Sequence, residues 1–214
     1  MKKGGVKMCM NCMNSTCGGC VNNNNNECVA RGPFEAIDAA CITTPPATGS
    51  IIPFSSGIVP VVLTAVAGGL IGTVSEVGFG TSIPGVTLVG TTIDVTSAVL
   101  GTEAFSVPRA GTITSISASF SATVAVTLIG ATATIRAQIY RAPAGSNIFS
   151  PTDAFVDLAP ALSTIAIGTI AFGTRNVTPV PVAAGDRLLM VFSVTTSGLA
   201  AVITGNASAG INIV

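Results

Sequence analysis

The chain has 214 residues, of which 49% are hydrophobic and only 8% charged, and its nine Lys+Arg balance nine Asp+Glu. An average soluble domain is about 25% charged, so a disordered body and an electrostatic nucleic-acid binder are both excluded: the first needs charge in place of aliphatics, the second clustered lysines and arginines. With no histidine, no tryptophan and a single tyrosine, Tyr140, most enzyme classes lose their usual general base or metal ligand.

Residues 1–42 form a tail that is chemically distinct from the rest. All six cysteines, Cys9, Cys12, Cys17, Cys20, Cys28 and Cys41, lie in it, together with the asparagine run 22–26, which reads as a solvated spacer. The start is basic but has no apolar stretch ahead of the cysteines, so no Sec signal peptide is expected. The spacing C-x2-C-x4-C-x2-C from Cys9 to Cys20 invites a tetrahedral metal site or an iron–sulfur cluster. Zinc ribbons, however, place about 15–20 residues between such pairs so that a hairpin can fold there. Disulfide crosslinking through the six cysteines is the preferred reading, with no metal and no cofactor. Bonds within one chain compete with bonds between chains, and a flexible arm favours the second, because its thiols meet neighbours easily once oxidised. Residues 43–50, TTPPATGS, read as a linker, stiffened by Pro45-Pro46 and loosened by Gly49-Ser50.

The body, residues 51–214, opens with the apolar stretch IVPVVLTAVAGGLIG at 58–72. It is shorter than the roughly 20 residues of a spanning helix and is interrupted by Pro60, Gly68 and Gly69, so no membrane partner is expected. From there the periodicity is two. Strands are predicted at 86–89, 92–96, 112–120, 122–129, 131–140, 154–158, 165–170, 187–194 and 200–214, separated by turn signals such as Pro84-Gly85, 108–111, Gly130, 143–147, Gly173, 184–186 and Ser197-Gly198. About eight to ten strands without a capped amphipathic helix indicate an all-β, antiparallel jelly-roll sandwich. The outward positions carry Thr112, Thr114, Ser117 and Ser119 where a solvated strand would carry Lys or Glu. So quiet a surface on a chain of zero net charge predicts homo-oligomerisation.

Four segments carry a family likeness: IIPFSSG at 51–57, AFSVPRAGTITSISA at 104–118, GDRLLMVFS at 185–193 and ASAGINIV at 207–214. In this order they resemble the C-terminal domain of the exosporium glycoprotein BclB of spore-forming bacilli, which is similar in plan to the trimeric jelly rolls of complement C1q and tumour necrosis factor. The resemblance implies a homotrimeric structural protein of the spore surface, made in the mother cell and deposited without a signal peptide, with other coat or exosporium proteins as partners of the cysteine tail. Relatives of this kind carry a Gly-X-Y stalk before the domain. Here no such repeat exists, and the cysteine tail stands in its place as the expected covalent anchor.

Catalysis is not expected. Asp153 and Asp157 would lie on one face of a strand roughly 13 Å apart, too far for paired-carboxylate chemistry, and the acids of the body read as turn caps and partners of arginines. Asp94, Glu103 and Asp153 are oxygen donors of the kind Ca2+ takes, but no calcium-loop pattern surrounds them. Arg136 stands out, because it interrupts an apolar alternating strand. If its face lies along a threefold axis, it needs a carboxylate or carbonyl from a neighbouring chain. The leading expectation is a trimeric, crosslinked spore-surface protein. The alternative is an adhesin whose loops, 142–151 among them, hold a glycan or host protein, although aromatic residues for sugar stacking are scarce.

Overall fold

The computed structural model describes residues 49–96 and 103–214. The six cysteines and the tail 1–42 lie outside the described residues, as does nearly all of the linker.

Every regular element in the described residues is a β-strand. Ten are longer than two residues: β1 (Ser50–Ser55), β2 (Val61–Ala65), β3 (Ile71–Val77), β4 (Ser82–Thr87), β7 (Gly111–Ala122), β9 (Ala133–Ala142), β10 (Ile148–Asp157), β12 (Ile170–Val182), β13 (Arg187–Thr196) and β14 (Ala201–Ile213). Four are two-residue pieces: β5 (Ile93–Asp94), β6 (Phe105–Ser106), β8 (Val126–Thr127) and β11 (Thr164–Ile165). All pairings between them are antiparallel.

The main ladder runs β12-β7-β14-β2-β3-β13-β9-β10-β5 and folds over where β2 meets β3. One layer holds β12, β7, β14 and the β1/β2 pair, and the other holds β10, β9, β13 and β3 with β4 and β6 at its side. Taking β1/β2 as one strand and β3 to β6 as the next, the orders are 1-8-3-6 and 2-7-4-5. That is the double Greek key of a jelly roll, and the predicted fold class is correct.

Between the layers lies the main core, built from inward positions such as Phe54, Ile116, Phe120, Ile135, Met190 and Phe192. A second, smaller core sits on the outer side of the β3-β13-β9 layer, where β4 and β5 cover Val74, Tyr140, Leu189 and Val191. This second cover explains why β13 is buried on both faces and reads as a nearly unbroken apolar run.

Several boundaries differ from the expectation. The apolar stretch 58–72 forms β2, a glycine turn and the start of β3, and among the described residues no helix is long and apolar enough to cross a membrane. Residues 122–129 and 165–170 are mostly turns that leave only β8 and β11. Conversely, β12 runs through Gly173, expected as a turn, and through Pro179 and Pro181. It sits at the end of its layer, where β7 is its strand partner and only an isolated bridge from Phe172 to Ala159 forms on the other side, and Pro179 falls inside the register shift between Asn176 and Val180, so prolines are tolerated there. Pro151 lies beside the register shift in β10, the other place where a strand accepts proline.

Candidate functional site

The antiparallel register brings outward residues of four strands into rows across β12, β7, β14 and β1. One row is Phe172, Ser119, Ser208 and Ser55, the next is Thr174, Ser117, Gly210 and Pro53, and a third is Asn176, Ser115, Asn212 and Ile51. A shorter row, Ile170, Ser121 and Asn206, continues the grid. None of these residues is charged.

The hydroxyls of this face largely satisfy one another. Ser119 Oγ and Ser208 Oγ are 2.9 Å apart, Ser117 Oγ and Thr174 Oγ1 are 2.8 Å apart, and Asn212 Nδ2 donates to Thr114 Oγ1 at 3.1 Å. Hydroxyls paired in this way demand little from water, so covering them has a small desolvation cost, whereas Asn212 Oδ1 is buried with no hydrogen-bond partner. Around them stand large apolar side chains in the open: Phe172 is 64% exposed, Ile170 57% and Ile51 77%. A shallow depression of about 230 Å³ lies among Ser117, Ser119, Phe172, Ser208 and Gly210. The arrangement offers a flat, dry-tolerant contact face and no reacting group.

The outward Ser and Thr of β7 were legible in the sequence; Phe172 and Ile170 were not singled out. Their signal was present, because Ile170, Phe172 and Thr174 alternate with Ala171 and Gly173 in strand period, but Gly173 read as a turn.

Arg136 lies on the other layer. It projects from the outer face of β9, where Nε and Nη2 donate to Asp157 Oδ1 and Oδ2 at 2.7 and 2.9 Å. The partner expected from a neighbouring chain is thus supplied by β10 of the same chain, directly opposite in register. The guanidinium also covers the ring of Phe155 at 4.2 Å, with Arg175 at 4.3 Å from the same ring. The hydrogen bond with Asp157 holds the Arg136 pKa above its ordinary value.

The remaining charged groups mostly build turns. Asp186 Oδ2 accepts from the Ala183 N–H at 2.9 Å, as expected of a turn ahead of a strand, and lies 3.8 Å from Arg141. Arg187 ties down the β9–β10 loop by donating to Asn147 Oδ1 and to the Ser146 carbonyl. Asp94 accepts from Thr96, which lowers its pKa. Glu76 departs from this pattern. It is completely buried in β3, and burial, followed by the charge of Glu103, pushes its pKa up to about 7.

Among known proteins, no family model matches the chain. It is 39% identical over 166 residues to Collagen-like protein 1 of Acanthamoeba polyphaga mimivirus, an alignment that takes in 73% of this chain and 18% of that protein. The chain is homologous to a segment of that collagen-like protein. It therefore spans under a fifth of that relative's length. Of solved structures, the Eiger tumour necrosis factor of S. frugiperda aligns over 76% of this chain and 94% of its own, with 11% identity and a TM-score of 0.28. The assignment as a jelly roll rests on the strand order given above.

Proposed function

We propose that the chain is a structural protein of a bacterial spore surface, in the exosporium or an appendage: a jelly-roll head that self-associates as a homotrimer, linked covalently through its cysteine tail. The observation that carries this reading is the uncharged grid across β12, β7, β14 and β1. It combines exposed Phe172, Ile170 and Ile51 with hydroxyls that already pair among themselves. Small and apolar residues with mutually paired hydroxyls suit a lasting contact between like chains. A collagen triple helix is built from three chains, so a segment shared with a collagen-like protein fits threefold association. The spore location is supported by the likeness of the four quoted segments to the BclB family, and the crosslinking role by six cysteines confined to the first 41 residues.

Mass by light scattering, with and without reductant, tests the reading. A trimer that survives reduction, together with larger species that collapse on reduction, is expected; monomers throughout would remove it. Antibody labelling of intact spores tests the location, and signal confined to the cytoplasm would overturn that part.

A further inference from the structure

The two ends of the jelly roll differ in composition. At one end β1 begins beside the last residues of β14, with Gly49 against Asn212 and Ile213, so the chain enters the body there. The connections at this end carry Arg109 and Asp186, and Arg187 reaches across it to Asn147. At the opposite end four connections, residues 66–70, 123–132, 158–169 and 197–200, join β2 to β3, β7 to β9, β10 to β12 and β13 to β14. None of their residues is charged. Six aliphatic side chains stand out from them, Val66, Leu70, Val124, Ile129, Ile167 and Leu199, each between 45% and 85% exposed.

Hydrogen bonds join the four connections into one platform. The Gly68 N–H donates to the Gly198 carbonyl and the Thr196 N–H to the Gly69 carbonyl, both at 3.1 Å. Ser197 N–H donates to the Thr132 carbonyl, whose own N–H donates to Ser197 Oγ, both at 2.9 Å. Leu128 N–H donates to the Ser163 carbonyl at 2.8 Å, and β8 pairs with β11 beside it. Backbone groups used in this way need little from water, which is the condition for turns to lie against an apolar medium. The choice of side chains narrows the partner. Residues that carry protein–protein binding energy are chiefly Trp, Tyr and Arg, with Leu and Val under-represented, whereas this end projects only Val, Leu and Ile. Single aliphatic tips on a firm support need no shaped cavity opposite, and a fluid acyl layer closes around each. With no Lys or Arg in the connections, nothing there attracts an anionic headgroup.

We propose that the end of the jelly roll opposite Gly49 docks on a zwitterionic phospholipid bilayer. The six aliphatic tips enter the boundary between headgroups and acyl chains, and the hydrogen-bonded turns stay among the headgroups. This is contact with a surface and involves no spanning segment, since residues 58–72 form β2, a turn and the start of β3. The chain joins the body at the other end, so docking leaves the entry at Gly49 facing away from the lipid. The grid proposed for self-association lies along the strands, on the side of the sandwich, and the two contacts are separate.

The full-length chain in reductant, mixed with vesicles of phosphatidylcholine alone and floated through a density gradient, tests this. It is expected to rise with the vesicles, to the same extent in about 0.5 M salt, and to gain less than about twofold from added phosphatidylserine. Ile129→Ser combined with Ile167→Ser is expected to lower the bound fraction about tenfold or more, with far-ultraviolet dichroism unchanged because both side chains are exposed. Ile58→Ser, at the most exposed large apolar side chain and outside this end, leaves flotation intact. If the double variant does not fold, Leu70→Ser with Leu199→Ser, on the neighbouring turns, carries the test. No flotation of the wild-type chain, flotation that requires phosphatidylserine, or an equal loss in Ile58→Ser would overturn the proposal. So would a double variant of lower mass in solution beside a wild type indifferent to vesicles, because a second copy would then be the occupant.

Discussion

Ser119 and Ser208 face each other across β7 and β14 with their hydroxyl oxygens 2.9 Å apart, at the centre of a face without charge. Lysine at position 208 would place an ammonium there with no carboxylate in the grid to receive it. An unpartnered charge at a closed contact costs several kcal/mol, so Ser208→Lys is expected to weaken self-association by about 100-fold or more. The monomer should keep its far-ultraviolet dichroism, because the side chain points outward. Sedimentation velocity over a concentration series reads the effect. An unchanged oligomer would show that this face is not the contact.

Arg136 and Asp157 make a half-exposed pair, with 40% and 45% of their side chains accessible. Pairs of that exposure contribute about 0.5–1 kcal/mol, and the contact with Phe155 adds a similar amount. Arg136→Met is therefore expected to lower the unfolding free energy by about 1 kcal/mol and to leave the oligomeric state as it was, since its partner belongs to its own chain. Urea denaturation of Arg136→Met, Asp157→Asn and the double variant separates the pair's share. A loss of assembly in Arg136→Met would return this residue to a subunit contact.

These two residues also show what the sequence reveals and what it hides. The outward serines of β7 follow from strict alternation, and even the irregularity there is visible: Thr114 and Ser115 stand consecutively between Ile113 and Ile116, and the ladder shifts register at that place. That Arg136 has a local partner is invisible in one dimension, because it depends on β9 and β10 pairing with Asp157 opposite. Fold class came from period and turns, both local. β12 is hidden because glycine signals a turn on average, whereas Gly173 lies within the paired strand and the register shift between Asn176 and Val180 takes up Pro179. The burial of Glu76 was equally hidden: its neighbours Ser75 and Val77 give it an ordinary strand context, and its burial depends on β13 pairing with β3 on one side, with Val191 opposite Glu76, a relationship between residues more than a hundred positions apart.

Gly205 and Gly210 make a contrasting pair on β14. A Cβ at Gly205 would lie 2.4 Å from the ring of Phe120 and 2.4 Å from the Ser121 carbonyl oxygen, whereas at Gly210 its nearest neighbours are 3.9 Å away. Overpacking a closed core costs about 1–3 kcal/mol, so Gly205→Ala is expected to lose roughly that amount in urea denaturation, and Gly210→Ala close to none as a monomer. If the grid is the contact face, Gly210→Leu should instead change the oligomeric state with little effect on the unfolding of the dissociated chain. Equal destabilisation by both alanines would contradict the packing described for Phe120.

Glu76 gives the fold a pH dependence of definite sign. Its pKa rises from an ordinary 4.5 to about 7 on folding, through burial first and Glu103 second. The folded chain therefore binds this proton more tightly than the unfolded chain between those values, and stability falls as pH rises. The loss begins near the unfolded value, is complete once pH exceeds the folded one, and amounts to about 3 kcal/mol. Below pH 4.5 the group is protonated in both states and adds no slope. Urea midpoints measured at intervals from pH 4.5 to 8 should fall steadily for the wild type, beyond what the other acids contribute. Glu76→Gln cannot ionise and should flatten that part of the curve while matching the wild type most closely at low pH. If the variant and the wild type keep the same slope from pH 5 to 7, the carboxyl of Glu76 is ionised throughout and its burial is offset by a donor.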